Sequence, residues 1–359
     1  MRKNVMTGVS LVALSAGMAQ GGGLELQTLD TSIMYVDGNS ASVSYASIDA
    51  SIEGYNPVVG SASKKAVVKD QTVTNLAAKF DMGESLSFAV TTYRSGAIQL
   101  DGGNGVNGNL APTGDVDLNT MALMAKYSLN ENISVIGGMT QNTLKDGNVT
   151  TLAGSYDVSG TTEQGYILGA AYSIPEIALK AELTYQPKTT FNTTTNYGPN
   201  VNPIAATSLG LPDTYALSFQ TGIAADTLLT ASYRRANWSK SQIGITVAPG
   251  SQANINTEFK DSKAYSIGIG RRFTDNLSAS ITYSKEEASD PPFGSLFTVS
   301  NGSEAISVGL QYKRDNMTIS GGISQRNVGD VTVNATGVGT MQYTGNTVTA
   351  MGLKIAFAF

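Results

Sequence analysis

The sequence predicts an all-β chain, a transmembrane antiparallel β-barrel of about 14 strands with a short N-terminal plug segment. Three observations predict it. Apolar and small side chains alternate in segment after segment, very short polar turns alternate with long loops, and no segment of the mature chain reads as a spanning helix. A chain without such a helix can cross hydrocarbon only as a closed barrel, because every backbone N–H and C=O must find a partner within the protein.

The alternation is clearest at the C-terminus. Met351, Leu353, Ile355, Phe357 and Phe359 take one face, and Ala350, Gly352, Lys354, Ala356 and Ala358 the other. The rhythm recurs in Met121, Leu123, Ala125 and Tyr127, in Tyr166, Leu168, Ala170 and Tyr172, and in Leu179, Ala181, Leu183 and Tyr185. It returns in Tyr215, Leu217 and Phe219, in Tyr265, Ile267 and Ile269, and in Ile306, Val308, Leu310 and Tyr312. Tyr or Phe at the run ends suits an aromatic girdle.

Short turns fall at Asp81 to Ser85, Asn130 to Asn132, Pro175 with Glu176, Ala224 to Thr227, Thr274 to Asn276 and Lys313 to Asn316. Long Gly/Asn/Thr/Pro-rich loops occupy 55–71, 95–116, 144–160, 189–212, 240–261, 286–303 and 328–346. Strict alternation of the two is what short periplasmic turns and long extracellular loops produce, and a soluble sandwich has no reason to keep it. In the first strand, near Ala41 to Gly54, the phase changes between Tyr45 and Ile48, which reads as a β-bulge and a gap in the wall.

Arg2 and Lys3, the apolar run Val5 to Met18, and the small residues Gly17 and Ala19 compose a secretory signal peptide over 1–19. Residues 20–40 read as a plug segment, with Leu24, Leu26, Leu29, Ile33, Met34 and Tyr35 as its apolar side chains, and 41–359 as the barrel. The expected location is the bacterial outer membrane.

Only 14% of the 359 residues are charged, 39 are glycine, none is cysteine, and the net charge is -5. Without cysteine the fold rests on pairing and packing rather than disulfides. An acidic chain without an outer basic stripe is no nucleic-acid binder. There is no histidine, so the hydrolase chemistries that use it as base are excluded, and no metal or cofactor site is expected. The chain is not expected to be an enzyme.

If the Leu/Ile/Phe alternate meets lipid, Lys79, Lys126, Lys180, Arg234, Arg272, Arg326 and Lys354 point into the lumen, against Glu182 as the one clear inward acid. Such a basic interior attracts carboxylate head groups. Lys180 with Glu182 reads as a lumenal ion pair, while Lys180 and Arg234 are the candidates for holding a ligand's anionic end. For its apolar part the candidates are Leu209, Leu211, Phe293, Leu296 and Phe297 in the loops. Trp238, the one tryptophan, reads more readily as a girdle residue than as a ligand-stacking one, and both roles are carried forward.

The order of several motifs resembles the FadL/TodX family of outer-membrane transporters for hydrophobic compounds. These are Gly210-Leu211-Pro212-Asp213, Tyr233-Arg234-Arg235-Ala236-Asn237-Trp238-Ser239, Phe259-Lys260-Asp261 ahead of Tyr265-Ser266-Ile267-Gly268-Ile269-Gly270, and Thr274-Asp275-Asn276-Leu277. The stretch Ala170-Ala171-Tyr172-Ser173-Ile174-Pro175-Glu176-Ile177-Ala178-Leu179 is similar too. The resemblance implies a monomeric barrel with a hatch in its lumen, a ligand groove among the external loops, and diffusion through a side opening. Its implied partners are a long-chain fatty acid or aromatic hydrophobic ligand, outer-membrane lipids and lipopolysaccharide, and the barrel-assembly machinery that reads a terminal aromatic such as Phe359. The chain departs from the family in its hatch. It is short and lacks the usual Asn-Pro-Ala motif, for which Asn56-Pro57-Val58 in a loop does not stand in.

Passive uptake of long-chain fatty acids or other hydrophobic small molecules is therefore the expected function, with an anion-preferring diffusion porin and a surface adhesin or receptor barrel as alternatives. The fold expectation is tested directly. The mature protein should need detergent to stay in solution and should give strand-dominated circular dichroism; a helical spectrum, or solubility without detergent, would refute the ring.

Overall fold

A computed structural model describes residues 25–197, 204–246 and 254–359. The expected signal peptide and the first plug residues, 20–24, lie outside the described residues.

Fourteen strands close one ring. β1 (Ser40–Ser51), β2 (Gln71–Met82), β3 (Leu86–Asp101), β4 (Thr113–Ser128) and β5 (Ile133–Leu144) come first. β6 (Thr161–Ile174), β7 (Leu179–Gln186), β8 (Thr214–Ala224), β9 (Thr227–Ala236) and β10 (Ser262–Arg272) follow. β11 (Leu277–Glu286), β12 (Ser303–Arg314), β13 (Met317–Val328) and β14 (Asn346–Ala358) complete it. Every strand runs antiparallel to its chain neighbours, and β14 returns to β1 in unbroken register from Ser40 opposite Ala358 to Ser51 opposite Thr347.

The six short turns lie at the same end as the two strand termini, where the Phe359 N–H donates to Asn39 O over 3.0 Å. The tightest two are two-residue connections that place Asp226 at φ 56° and Asp315 at φ 51°. Aspartate tolerates this left-handed region, which lets antiparallel strands reverse within two residues.

Outward alternates are apolar and open: Leu123, Leu168 and Ile267 keep 55%, 52% and 52% of their surface exposed, which is tolerable only if lipid covers them. Tyrosines rim this belt toward the long loops, with Tyr185 stacked on Tyr215 at 4.7 Å and Tyr233 tilted against Tyr265 at 5.1 Å. Phe80 and Phe359 meet edge-on at the turn end.

The long loops carry strands of their own. Thr189–Tyr197 and Ile204–Leu211 continue β7 and β8 outward, and Val331–Ala335, Gly339–Tyr343, Glu53–Tyr55 and Lys65–Ala66 form a separate sheet above the ring. Their apolar side chains build a large core at the external end. A ring of this size is too wide for its own side chains to meet across the axis. The lumen below that core is filled instead by the N-terminal segment, whose Ile33 and Met34 pack against Ala89, Ala122, Met124 and Ile167.

Two sequence expectations are corrected here. β1 has no phase slip: its registers with β2 and β14 are continuous, and Ile48 points inward at 1% exposure. The outward positions beside it, Ser47, Asp49 and Ser51, are polar because they stand above the apolar belt, and this change of solvent mimicked a change of phase. The third and fourth strands also reach further than a loop over 95–116 allowed. A register shift between Arg94 and Gly96 breaks the period-2 pattern of β3 without ending the strand.

Placing a guanidinium on the lipid face tests the belt. Ile267→Arg should destabilise the barrel by about 2–4 kcal/mol if that residue lies near the bilayer midplane, read as a shift in denaturant-induced unfolding in lipid vesicles.

Candidate functional site

The plug is tied to the wall at three levels. At its outer end the Leu26 N–H donates to Ser95 O over 3.2 Å, Glu25 forms an antiparallel bridge with Gly96, and the Glu25 carboxylate pairs with Arg234. In the middle the Thr31 and Tyr35 hydroxyls both donate to Glu182. Lys180 Nζ stands 3.7 Å from the centroid of the Tyr35 ring, and Lys126 Nζ 4.8 Å. At the inner end Lys79 Nζ donates to Val36 O at 2.7 Å and Gly38 O at 3.0 Å, and pairs with Asp81 at 2.6 Å. Charges taken out of water are retained only when partnered, and the plug supplies many of those partners.

This arrangement corrects the lumenal ion pair. Among the described residues Lys180 and Glu182 form no ion pair within 4 Å; the Tyr35 hydroxyl bonds the acid while its ring faces the amine. Same-face neighbours on a strand stand roughly 6.5–7 Å apart, enough for a ring to engage both. Glu182 is not the one inward acid either. Glu286 shares the inward face of β11 with Ser278 and Ser280, and Glu25 reaches the lumen from the plug. Sequence alternation could have found Glu286; nothing local announces Glu25.

Of the expected ligand-binding residues, Lys180 and Arg234 are brought to the plug. The remainder gather in the external core. Leu209, Trp238 and Phe293 are buried, and Leu211, Leu296 and Phe297 pack against them. Trp238 is therefore not in the girdle. β9 ends at Ala236, and the 3-10 turn Trp238–Lys240 folds the indole inward, edge-on to Phe259 at 5.6 Å. Beneath this core Ile98, Val116, Val149, Leu209, Ile243 and Phe297 line an apolar cavity of about 20 Å³, little more than a water-sized space. Any larger guest must part these side chains.

The wall itself is incomplete between β2 and β3. Their ladder stops at Leu76 opposite Thr92, although both strands continue. Gln71, Thr72, Val73 and Thr74 pair with β1 alone, and β3 beyond Thr92 pairs with β4. The Ser95 bulge directs β3 away from β2, and the plug bonds to the freed edge: the Gln27 side chain accepts from the Arg94 N–H at 3.1 Å, beside the Leu26 bond. Outward residues on β2 change here from Phe80 and Leu76 to Thr74 and Thr72, so the break sits at the external rim of the apolar belt. Leu26, Ile48, Val73, Ala97 and Ile98 are buried around it and belong to the same core as Leu209 and Phe293. Sequence reading missed this opening and its polar residue Arg94, because the bulge that makes it also hides the strand.

Geometry thus defines a plugged transmembrane barrel with an apolar external core and a break in its ladder between β2 and β3. No protein-family model and no curated protein matches the sequence. Solved structures do match in shape. A FadL homologue of Pseudomonas aeruginosa superposes with a TM-score of 0.74 at 13% identity, covering 96% of this chain and 98% of that one. The toluene transporter TodX of Pseudomonas putida gives 0.62 at 11% identity over 95% and 96% of the two chains. The toluene transporter TbuX of Ralstonia pickettii gives 0.61 at 14% identity over 96% and 97%. The chain has the fold of the FadL/TodX-type outer-membrane barrels.

The plug's middle anchor is open to test. Tyr35→Ala removes the hydroxyl on Glu182 and the ring beneath two ammonium groups, each such contact being worth about 0.5–2 kcal/mol. The variant should show frequent open steps in planar-bilayer recording where the wild type conducts little.

Proposed function

We propose that the chain is a passive outer-membrane channel for hydrophobic small molecules, long-chain fatty acids foremost. The observation that carries this reading is the unbroken apolar core, which runs from Phe293 and Leu209 among the external loops to Ile98, Ala97, Val73 and Leu26 at the wall opening. A guest that parts the side chains around the small cavity exchanges water for this core, and each buried methylene contributes about 0.8 kcal/mol. No energy source is needed, since the guest leaves sideways into a medium as apolar as the path.

The solved structures of this shape include transporters of toluene, and aromatic hydrocarbons are carried over here as a second cargo class. Those neighbours are channels, and no reaction is assigned to this chain. In the same reading the ring works as a monomer, its tyrosine rim meets lipid and lipopolysaccharide, and the barrel-assembly machinery recognises Phe359.

Leu209, Leu211, Trp238, Phe293, Leu296 and Phe297 would receive the apolar part of the cargo. Lys180 and Arg234 would meet a carboxylate only when the plug shifts, because Tyr35 and Glu25 hold them. The same engagement disfavours an open anion porin, since these lumenal cations face protein partners.

A deletion strain should lose oleate uptake, wild-type protein should restore it, and Phe297→Asp should restore a tenth or less, the cost of a charge in an apolar site. Oleate entering the deletion strain at the wild-type rate, or large ohmic steps from the purified wild-type barrel, would overturn the proposal.

A further inference from the structure

On three adjacent strands the outer face of the wall changes composition in the same order. β9 ends in Tyr233-Arg234-Arg235, β10 opens with Lys263-Ala264-Tyr265 and β11 ends in Tyr283-Ser284-Lys285. In each, period 2 holds the tyrosine and the terminal cation on the lipid side and turns the middle residue into the lumen, where Arg234 meets the plug. The cation stands one outward position beyond its tyrosine, roughly 6.5–7 Å nearer the outside. Register brings the three together. Arg235 is paired with Lys263 and Tyr265 with Lys285, so Lys263 and Lys285 are diagonal neighbours on one face.

The rest of the rim is built differently. One outward position beyond the last apolar or aromatic one, β13 carries Gln325, β14 Thr349, β1 Ser47, β4 Asn119 and β6 Gln164. Cations spread around the ring would suit any anionic surface, whereas three gathered on β9 to β11 suit one seated molecule. Their present partners hold them loosely. Arg235 lies 3.7 Å from Asp261, Lys263 3.3 Å from Glu287 and Lys285 2.8 Å from Glu304, all on half-exposed side chains. Open pairs of this kind are worth little, and an ammonium bonded to one acid still has donors to spare. Asp261 and Glu287 also stand two residues further out than Lys263 and Lys285, above the level of the cations.

We propose that the outer face of β9 to β11 seats a phosphorylated glycolipid of the outer leaflet, with its phosphates on Arg235, Lys263 and Lys285. This rests on the reading that the tyrosine rim meets lipopolysaccharide and gives that contact one address. Bonds from guanidinium and ammonium groups to phosphate are charge-assisted, and the tyrosines mark the interfacial depth at which such phosphates lie. A free phosphate ion would use the cations alone. Directly beneath them, past the tyrosines, Ile267 and Ile281 are open on the same face, which fits a molecule that carries acyl chains below its phosphates.

The test is titration of the full-length protein, purified in non-ionic detergent, with bisphosphorylated lipid A and with the same lipid stripped of both phosphates, bound molecules being counted by native mass spectrometry. Wild type should bind the phosphorylated form more than tenfold more tightly, a comparison that needs no variant. Each surface cation contributes about fivefold to binding of an anionic lipid, so Arg235→Gln, Lys263→Gln and Lys285→Gln combined should remove the preference. Arg271→Gln with Arg314→Gln, outward cations at the turn end, should leave it in place. Equal binding of the two lipids by wild type, a preference that survives the triple variant, or an equal loss in the turn-end pair overturns the site. Oleate uptake by the triple variant should match wild type, so failure of this site leaves the channel reading standing.

Discussion

Backbone polar groups have no water to turn to inside a bilayer, and this constraint governs the whole structure. It requires β14 to return to β1 in full register, with no strand left as an edge. It also explains the interdependence of plug and wall. Where β2 and β3 part, the freed edge of β3 takes bonds from Leu26 and Gln27, so the segment that blocks the lumen also completes the barrel. The opening lies at the rim of the apolar belt, where unmet groups are least costly.

Charge follows a related rule. A lumen carrying Lys79, Lys126, Lys180 and Arg234 would be expensive to dehydrate if left bare. The plug answers with two backbone carbonyls, an aromatic ring and one carboxylate. The basic face thereby becomes a set of anchors for a polypeptide. The N-terminal segment is short, and each anchor is a specific contact, while Ile33 and Met34, with Leu29 and Tyr35 beside them, supply the apolar packing.

Much of this was legible beforehand. The outward faces of Leu353, Ile267 and Leu123 and the order of short turns and long loops follow the alternation, although the expected loop over 95–116 is largely strand. Leu209, Phe293 and Phe297, which sequence offers as candidate ligand contacts, gather in one apolar core. Trp238 was misjudged because its strand ends two residues earlier and the chain folds inward, which periodicity cannot register. Lys180 and Glu182 were paired on paper because sequence shows neighbours along a strand and not the ring that Tyr35 inserts from about 150 residues away.

Strand number, membrane-facing surface and lumenal polarity were thus determined by the sequence itself, since each follows from local periodicity and from the energy of apolar side chains in lipid. The wall opening, the wiring of the plug and the gathering of Arg235, Lys263 and Lys285 in one patch were decided only by the tertiary structure. They depend on which distant segments meet once the ring closes, and on a single bulge that local pattern reads as the end of a strand.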